Sequence, residues 1–494
     1  MINLHVMHSW GGGLERWVQD YCRNDKGNTN LILKSIGEYG IPAKDIYLYD
    51  HIDSQVPIRS WKLDKPILAT DPIHLEYRYI IEEIIKSFNI NNIIVSSFIG
   101  HSLELLRTNI HKLIICHDFY PFCPMVFAYF KDNCQECDFS HLKKCFAENP
   151  VNFFPFTSAA EWMVVRQSLL NTLVQSQISL VIASPFMKNR LVSLDSRFSK
   201  IPIHSIPHGI NSSQVLRTTK DNNLRVTKKR FHILILGQLS VHKGENLFNQ
   251  IYNDLSQIAD IYLLGCGEDG YKYSNKININ VIPKYDRKNL GSIIDSLDID
   301  IALLLSVWTE TFSYTLSELM CMNLPTLATN VGSFQDRIQD GINGFLVNPN
   351  SSDLLEKIKF LLENPSLLVD VKNNLLSFRH KTIEEMVSEY QKFLNYQEIE
   401  MKEITIDSSS HHNLSVNDLY EEIKSFRNEL EYIKLVQVEV LKNIDYKEFH
   451  HKRETTKIRQ GLMLSKRFKI IRAIKNRFPR IWEYLRKILL KLGV

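Results

Sequence analysis

Two acids, Glu310 and Glu318, stand with seven residues between them in the stretch ETFSYTLSE. The first falls in a loop after the apolar run IALLLSVWT. The second lies inside YTLSELMCM, whose apolar periodicity predicts a helix with its N-terminus at Thr311 to Ser313. Amides at such a start have no intrahelical partner, and the helix dipole adds partial positive charge there. An anion can therefore bind through the amides there. A carboxylate on each side of that anion can take hydroxyl groups of the same ligand. The apolar neighbours Leu316, Leu319 and Met320 argue against a merely solvated Glu318, whereas an ordinary acid at a helix N-terminus is a fair alternative for Glu310.

Other residues able to do chemistry follow short apolar runs. Lys243, with Gly244 after it, can set an ammonium against a diphosphate, although a lone surface lysine commonly does nothing. Gly11, Gly12 and Gly13 precede LERWVQDY and leave the backbone free to approach a phosphate or a sugar; a plain tight turn is an equal reading. His117 and Asp118 follow KLIIC, and His101 follows Gly100. A histidine satisfying local backbone fits these positions as well as a functional one.

These residues need elements to position them. The β-branched runs INLHVMH, NIIVSSF, KLIICHD and LVIAS, then FHILILG, DIYLLG, DIDIALLL and PTLAT, alternate with amphipathic segments. That pattern predicts parallel sheets covered by helices on both faces. It occurs twice, so the fold class is α/β: two doubly wound Rossmann-like domains, residues 1–212 and 213–380, then a closing helix at 381–400. In such sheets ligands bind beyond the carboxyl ends of the strands. Nearly every distinctive glycine and polar residue falls there, which predicts one shared cleft.

Composition limits the rest. The 494 residues carry a net charge of +4, but residues 461–494 hold ten Lys or Arg and one acid, a local +9 that leaves −5 elsewhere. The body therefore lacks the basic character of a nucleic-acid binder. The start MINLHVMHSWGGG shows no export-signal pattern, and no run reaches membrane-spanning length, so a cytoplasmic protein is expected. Beyond a linker, Leu419, Ile423, Phe426, Leu430, Ile433, Val440 and Ile444 form a coiled-coil seam within 401–460, suited to homo- or hetero-oligomers through 419–444. The tail 461–494 reads as basic amphipathic helices, with Phe478, Trp482 and Tyr484, for the anionic inner face of the membrane. A solvated or packed hairpin is the plainer reading. Eight cysteines do not make a secreted disulfide framework. Cys123, Cys134, Cys137 and Cys145 have a spacing open to zinc, but reduced unliganded thiols are favoured.

In order and separation, IPHGIN, ILILGQLSVHKG, LLGCGEDG and ETFSYTLSELMCMNLPTLATNVGSFQDRIQDGINGFLV resemble glycosyltransferase family 4, retaining enzymes of GT-B fold. GHSLELL followed by HDFYPFCP is similar to the acceptor-side half of its surface-polysaccharide branch. The resemblance covers roughly residues 1 to 395. It implies transfer of a sugar from a nucleotide-diphosphate donor to a glycan acceptor, lipid-linked, with no cofactor or metal required. It also implies roles: Glu318 on the ribose, Glu310 on the transferred sugar, and Lys243 with Phe312 and Ser313 on the diphosphate. Gly12, Gly13 and Gln238 complete the donor side, His117 and Asp118 the catalytic set, and His101 the acceptor side. Gln238 departs from the pattern, because many relatives carry an arginine that shares the diphosphate. This keeps open an inactive GT-B scaffold that recruits other enzymes to the membrane; a nucleotide-sugar epimerase would share the architecture.

Overall fold

The computed structural model describes residues 1–37, 43–130, 132–149, 152–154, 156–211 and 230–402. All of these residues fall within the unit Met1–His411. The coiled-coil seam and the basic tail lie outside the described residues. Among the described residues no helix is long and apolar enough to cross a membrane.

Strands of three residues or more are numbered along the chain. The first sheet contains β1 (Ile2–His8), β2 (Thr29–Ile36), β3 (Ala43–Tyr49), β4 (Arg59–Ile67), β5 (Asn92–Val95), β6 (His111–Cys116), β7 (Ser179–Ile182) and β8 (Ile203–Ser205). Its order is β8-β7-β6-β5-β1-β2-β3-β4. From β8 to β2 the pairs are parallel, and β5 and β7 are buried along their whole length, as strands covered on both faces must be.

The strands quoted from the sequence pair parallel, and two further strands, β3 and β4, add an edge where β2–β3 and β3–β4 pair antiparallel. Only six residues separate β2 from β3, too few for a crossover helix. The outer half of β4 alternates in exposure, as a strand with one wet face does.

The second sheet contains β9 (Phe231–Leu236), β10 (Ala259–Leu264), β11 (Ile279–Ile282), β12 (Ile301–Leu304), β13 (Thr326–Thr329) and β14 (Phe345–Val347). It is parallel throughout, in the order β11-β10-β9-β12-β13-β14. Each sheet has its own apolar core.

The closing helix, Ile383–Lys402, follows the second half in sequence but packs on the first. Tyr390 meets Trp17 and Tyr21 at ring distances of 5.3 and 5.6 Å. Met386, Val387 and Leu394 join the same buried cluster. The chain thus crosses back and ties its two halves together.

Candidate functional site

Segments that follow β1, β6, β9 and β12 line one cleft of about 550 Å³. The first is the glycine turn. Gly12 has φ 86° and ψ −160° and caps the helix Gly13–Asn24. No atom lies within 4 Å of where its side chain would begin, so conformation rather than crowding requires glycine, and the space before the first amides stays open. Gly13 faces Tyr314 of the opposite half, with its ring edge 3.8 Å from the would-be Cβ position. A hydrogen bond also spans the cleft, where Thr311 Oγ1 donates to the His117 carbonyl at 2.7 Å.

Glu310 is held from several sides. Lys243 Nζ and Ser306 Oγ both donate to its Oε1. Burial alone would raise its carboxyl, but the Lys243 charge and these hydrogen bonds outweigh that and hold it below the ordinary value. Behind it, Gly332 sits at φ 58°, where a side chain would meet the Glu310 carbonyl at 2.2 Å. The Ser333 amide donates to that carbonyl at 2.7 Å. The loop is therefore fixed through its backbone.

Glu318 lies inside the helix Tyr314–Cys321 and is buried. Arg16 from the first half reaches its Oε1 at 3.0 Å, and Arg287 approaches the same oxygen at 2.7 Å. Burial pushes its carboxyl up against the pull of Arg16. The Arg16 guanidinium also stacks 3.8 Å over the Tyr314 ring, and it lines the cleft where Glu318 itself does not. Ser313 caps this helix at φ 67°, accepting from the Leu316 amide at 3.2 Å. Arg337 supports the unusual conformation from behind: it donates to the Phe312 and Ser313 carbonyls and to Ser317 Oγ and stacks on Phe312.

On the opposite wall burial depresses the His117 imidazole to about 3, helped by His8, so it stays neutral. Asp118 beside it is pushed up to about 7 by burial, against a hydrogen bond from the Tyr120 amide at 2.7 Å. His208 is held well below its ordinary value by burial first, then by His117 and nearby cations. His117 Nε2, His208 Nδ1, Tyr314 OH and Arg16 Nε are buried without a hydrogen-bond partner. Unpaired polar atoms around one cavity are costly unless a ligand or water meets them.

Glu310, Lys243, His117, Asp118, Gly12, Gly13, Phe312 and Ser313 are thus brought together, with Glu318 one layer behind. Two expected residues are not. His101 is fully buried, its ring bonded to the Met7 carbonyl and to Tyr77 OH, each at 2.8 Å. It is a satisfied core histidine, which corrects its expected acceptor-side place. Gln238 is exposed and outside the cleft lining. The sequence reading missed Arg16, His208, Arg337 and an aromatic group in which Trp308 meets Phe127 at 4.8 Å and Tyr129 at 5.5 Å. One signal for Arg16 was present: a cation in the opening turns of a helix opposes the dipole and needs a partner.

Cys123, Cys134, Cys137 and Cys145, four of the first half's six cysteines, also converge. Cys123 and Cys134 each feel Cys137, and Arg166 Nη2 lies 3.1 Å from Cys137 Sγ. Burial pushes the Cys134 thiol up to about 12, which favours protonated thiols. Among the described residues no group of three His, Cys, Asp or Glu side chains is set to hold a metal ion.

Such a cleft can hold a ligand with an anionic centre and hydroxyl groups on either side of it. The architecture is the GT-B fold of two Rossmann-like halves. Residues 217–376 match the family model for glycosyl transferases group 1. Among solved structures, the chain is similar to a glycosyltransferase from Rickettsia africae ESF-5, at 18% identity and TM-score 0.51 over 82% of this chain and 99% of the other. It is also similar to the sucrose-phosphate synthase of Thermosynechococcus elongatus, at 14% identity and TM-score 0.53 over 80% and 99%. Anabaena HepE in complex with UDP aligns at 12% identity and TM-score 0.51 over 80% and 100%. In sequence the chain is 26% identical over 184 residues to an uncharacterized 41.2 kDa protein in the cps region of Klebsiella pneumoniae, covering 36% of this chain and 50% of that one. It is likewise 26% identical over 206 residues to an uncharacterized glycosyltransferase of Methanocaldococcus jannaschii, covering 41% and 54%. The chain spans about half the length of the curated relatives it matches.

Proposed function

We propose that the protein is a retaining glycosyltransferase that moves a sugar from a nucleotide-diphosphate donor to a glycan acceptor, lipid-linked, in the synthesis of a bacterial surface polysaccharide. The observation that carries this reading is Glu310 paired with Lys243 in the cleft at the helix start at Ser313, with Glu318 one layer behind, joined to the cleft through Arg16. HepE bound to UDP supports the donor class, and the relative in the Klebsiella cps region supports the polysaccharide setting.

In this reading Lys243 and the Phe312 and Ser313 amides hold the diphosphate, Glu310 orients the transferred sugar, and Glu318 takes the ribose hydroxyls. The bond from the anomeric carbon to the phosphate oxygen breaks while the acceptor hydroxyl oxygen bonds to that carbon. The hydroxyl proton passes to the leaving phosphate oxygen on the same face. Stabilising the departing charge is the main catalytic contribution, and neither metal nor cofactor is required. Residues 461–494 meet the anionic inner face of the membrane, where a lipid-linked acceptor resides.

The test is nucleotide release from UDP-, GDP- and dTDP-sugars with a membrane-lipid extract as acceptor, and NMR of the product's anomeric configuration. Turnover with one donor is expected, falling at least about 100-fold in Glu310→Ala. No release from any donor, or an inverted product, overturns the reading.

A further inference from the structure

We infer that Arg16, on the first helix of the N-terminal half, is the second cation for the donor's diphosphate, exchanging Glu318 for the phosphates when a donor binds. This rests on the function proposed above and adds a residue to its site.

Four observations meet here. The second half brings one lysine, Lys243, to the anion position, since Gln238 is neutral, exposed and outside the cleft. A diphosphate carries more charge than one ammonium balances, and a guanidinium pairs with phosphate oxygens in bidentate fashion. Arg16 lines the cleft and stacks over Tyr314, the first residue of the helix whose start faces the anion. Its Nε is buried without a hydrogen-bond partner, 3.6 Å from Asp20.

The fourth observation is the present partner. Arg16 is bound to Glu318, the acid assigned to the ribose hydroxyls. Glu318 cannot serve both fully, so a donor that engages it weakens its hold on Arg16 beside a fresh anion. Arg287 stays within 2.7 Å, so Glu318 is not left as a bare buried charge. Because Arg16 and Lys243 come from opposite halves, the exchange would let the diphosphate be held from both sides of the cleft.

The test is calorimetric titration of the full chain with UDP, GDP and dTDP and with uridine, guanosine and thymidine. For the base that binds the wild type, Arg16→Gln is expected to weaken the nucleoside diphosphate at least about tenfold while leaving the nucleoside unchanged. Equal affinity of wild type and Arg16→Gln for the diphosphate overturns the inference alone, as does an equal loss for nucleoside and diphosphate, which marks a structural strut. If the wild type binds none of the six, the proposed function falls and the inference with it. Should Arg16→Gln fail to fold, Arg16→Lys replaces it: affinity below wild type for the diphosphate only supports the role, and unchanged affinity refutes it.

Discussion

His117 and Asp118 are neighbours on one half-buried wall of the cleft, and the same desolvation moves them in opposite directions. A histidine pushed down to about 3 stays neutral, while a carboxyl pushed from 3.8 to about 7 keeps its proton in the fold. Between roughly pH 4 and 7 the folded chain holds the Asp118 proton that the unfolded chain has lost. Stability contributed by this group therefore falls as pH rises through that window, by up to about 1.4 kcal/mol per pH unit. The histidines act with the other sign: His5, His8, His101 and His242 are held at about 4, so their contribution is lost as pH falls below 6.5. They are common to wild type and Asp118→Asn and cancel in the difference. Urea unfolding at pH 5 and pH 8 should show Asp118→Asn gaining about 1 to 3 kcal/mol on the wild type between the two conditions. A difference that does not change with pH would place the Asp118 proton elsewhere.

At the next scale, the segment from Glu310 to the helix Tyr314–Cys321 is not stable by local preference. Ser313 takes a left-handed conformation that costs a non-glycine residue energy, and it persists because Arg337 ties the carbonyls on either side of it. Replacing Arg337 by Met keeps much of the packing on Phe312 but removes the Arg337 donor from the Phe312 carbonyl and leaves the Ser313 carbonyl with the Ser317 amide at 3.4 Å. Stability should drop by about 2 kcal/mol, and nucleoside diphosphate affinity by about tenfold, because the Phe312 and Ser313 amides proposed to hold the diphosphate would lose their alignment. Full affinity in a destabilised protein would show that the loop holds its own shape.

The contrast with Glu310 indicates what a sequence can disclose. The paired acids, the glycine turns and the eight quoted strands carry local signals, in periodicity and in residues that only certain backbone angles admit. Arg16, Arg337 and His208 carry almost none, because their roles depend on which distant element packs beside them. His101 illustrates the same limit in reverse. It follows a strand and a glycine just as His117 follows a strand, yet Tyr77 and Met7 satisfy it in the core. The antiparallel edge lay outside the expectation, because β2, β3 and β4 are not among the quoted runs, and the six-residue link before β3 emerges only with their bounds.

For the whole molecule, the decisive joint is the closing helix. Its buried face, with Met386, Val387 and Tyr390, covers Trp17 and Tyr21 of the helix that begins at the glycine turn. Losing it would strip the outer layer from the half that supplies Gly12, Arg16 and His117. Burial of a large aromatic side chain is worth about 3 kcal/mol, so Tyr390→Ala alone should lower stability by that order. A chain ending at Phe378 lacks the helix altogether and should aggregate, whereas one ending at Lys402 should unfold cooperatively and still release nucleotide from its donor. The same shorter chain separates catalysis from location: the full chain should sediment with anionic phosphatidylglycerol vesicles, and the chain without residues 461–494 should not. Co-sedimentation of the chain ending at Lys402 would move the membrane contact onto the two-sheet body. Loss of its donor turnover despite cooperative unfolding would make residues beyond the closing helix part of the active enzyme.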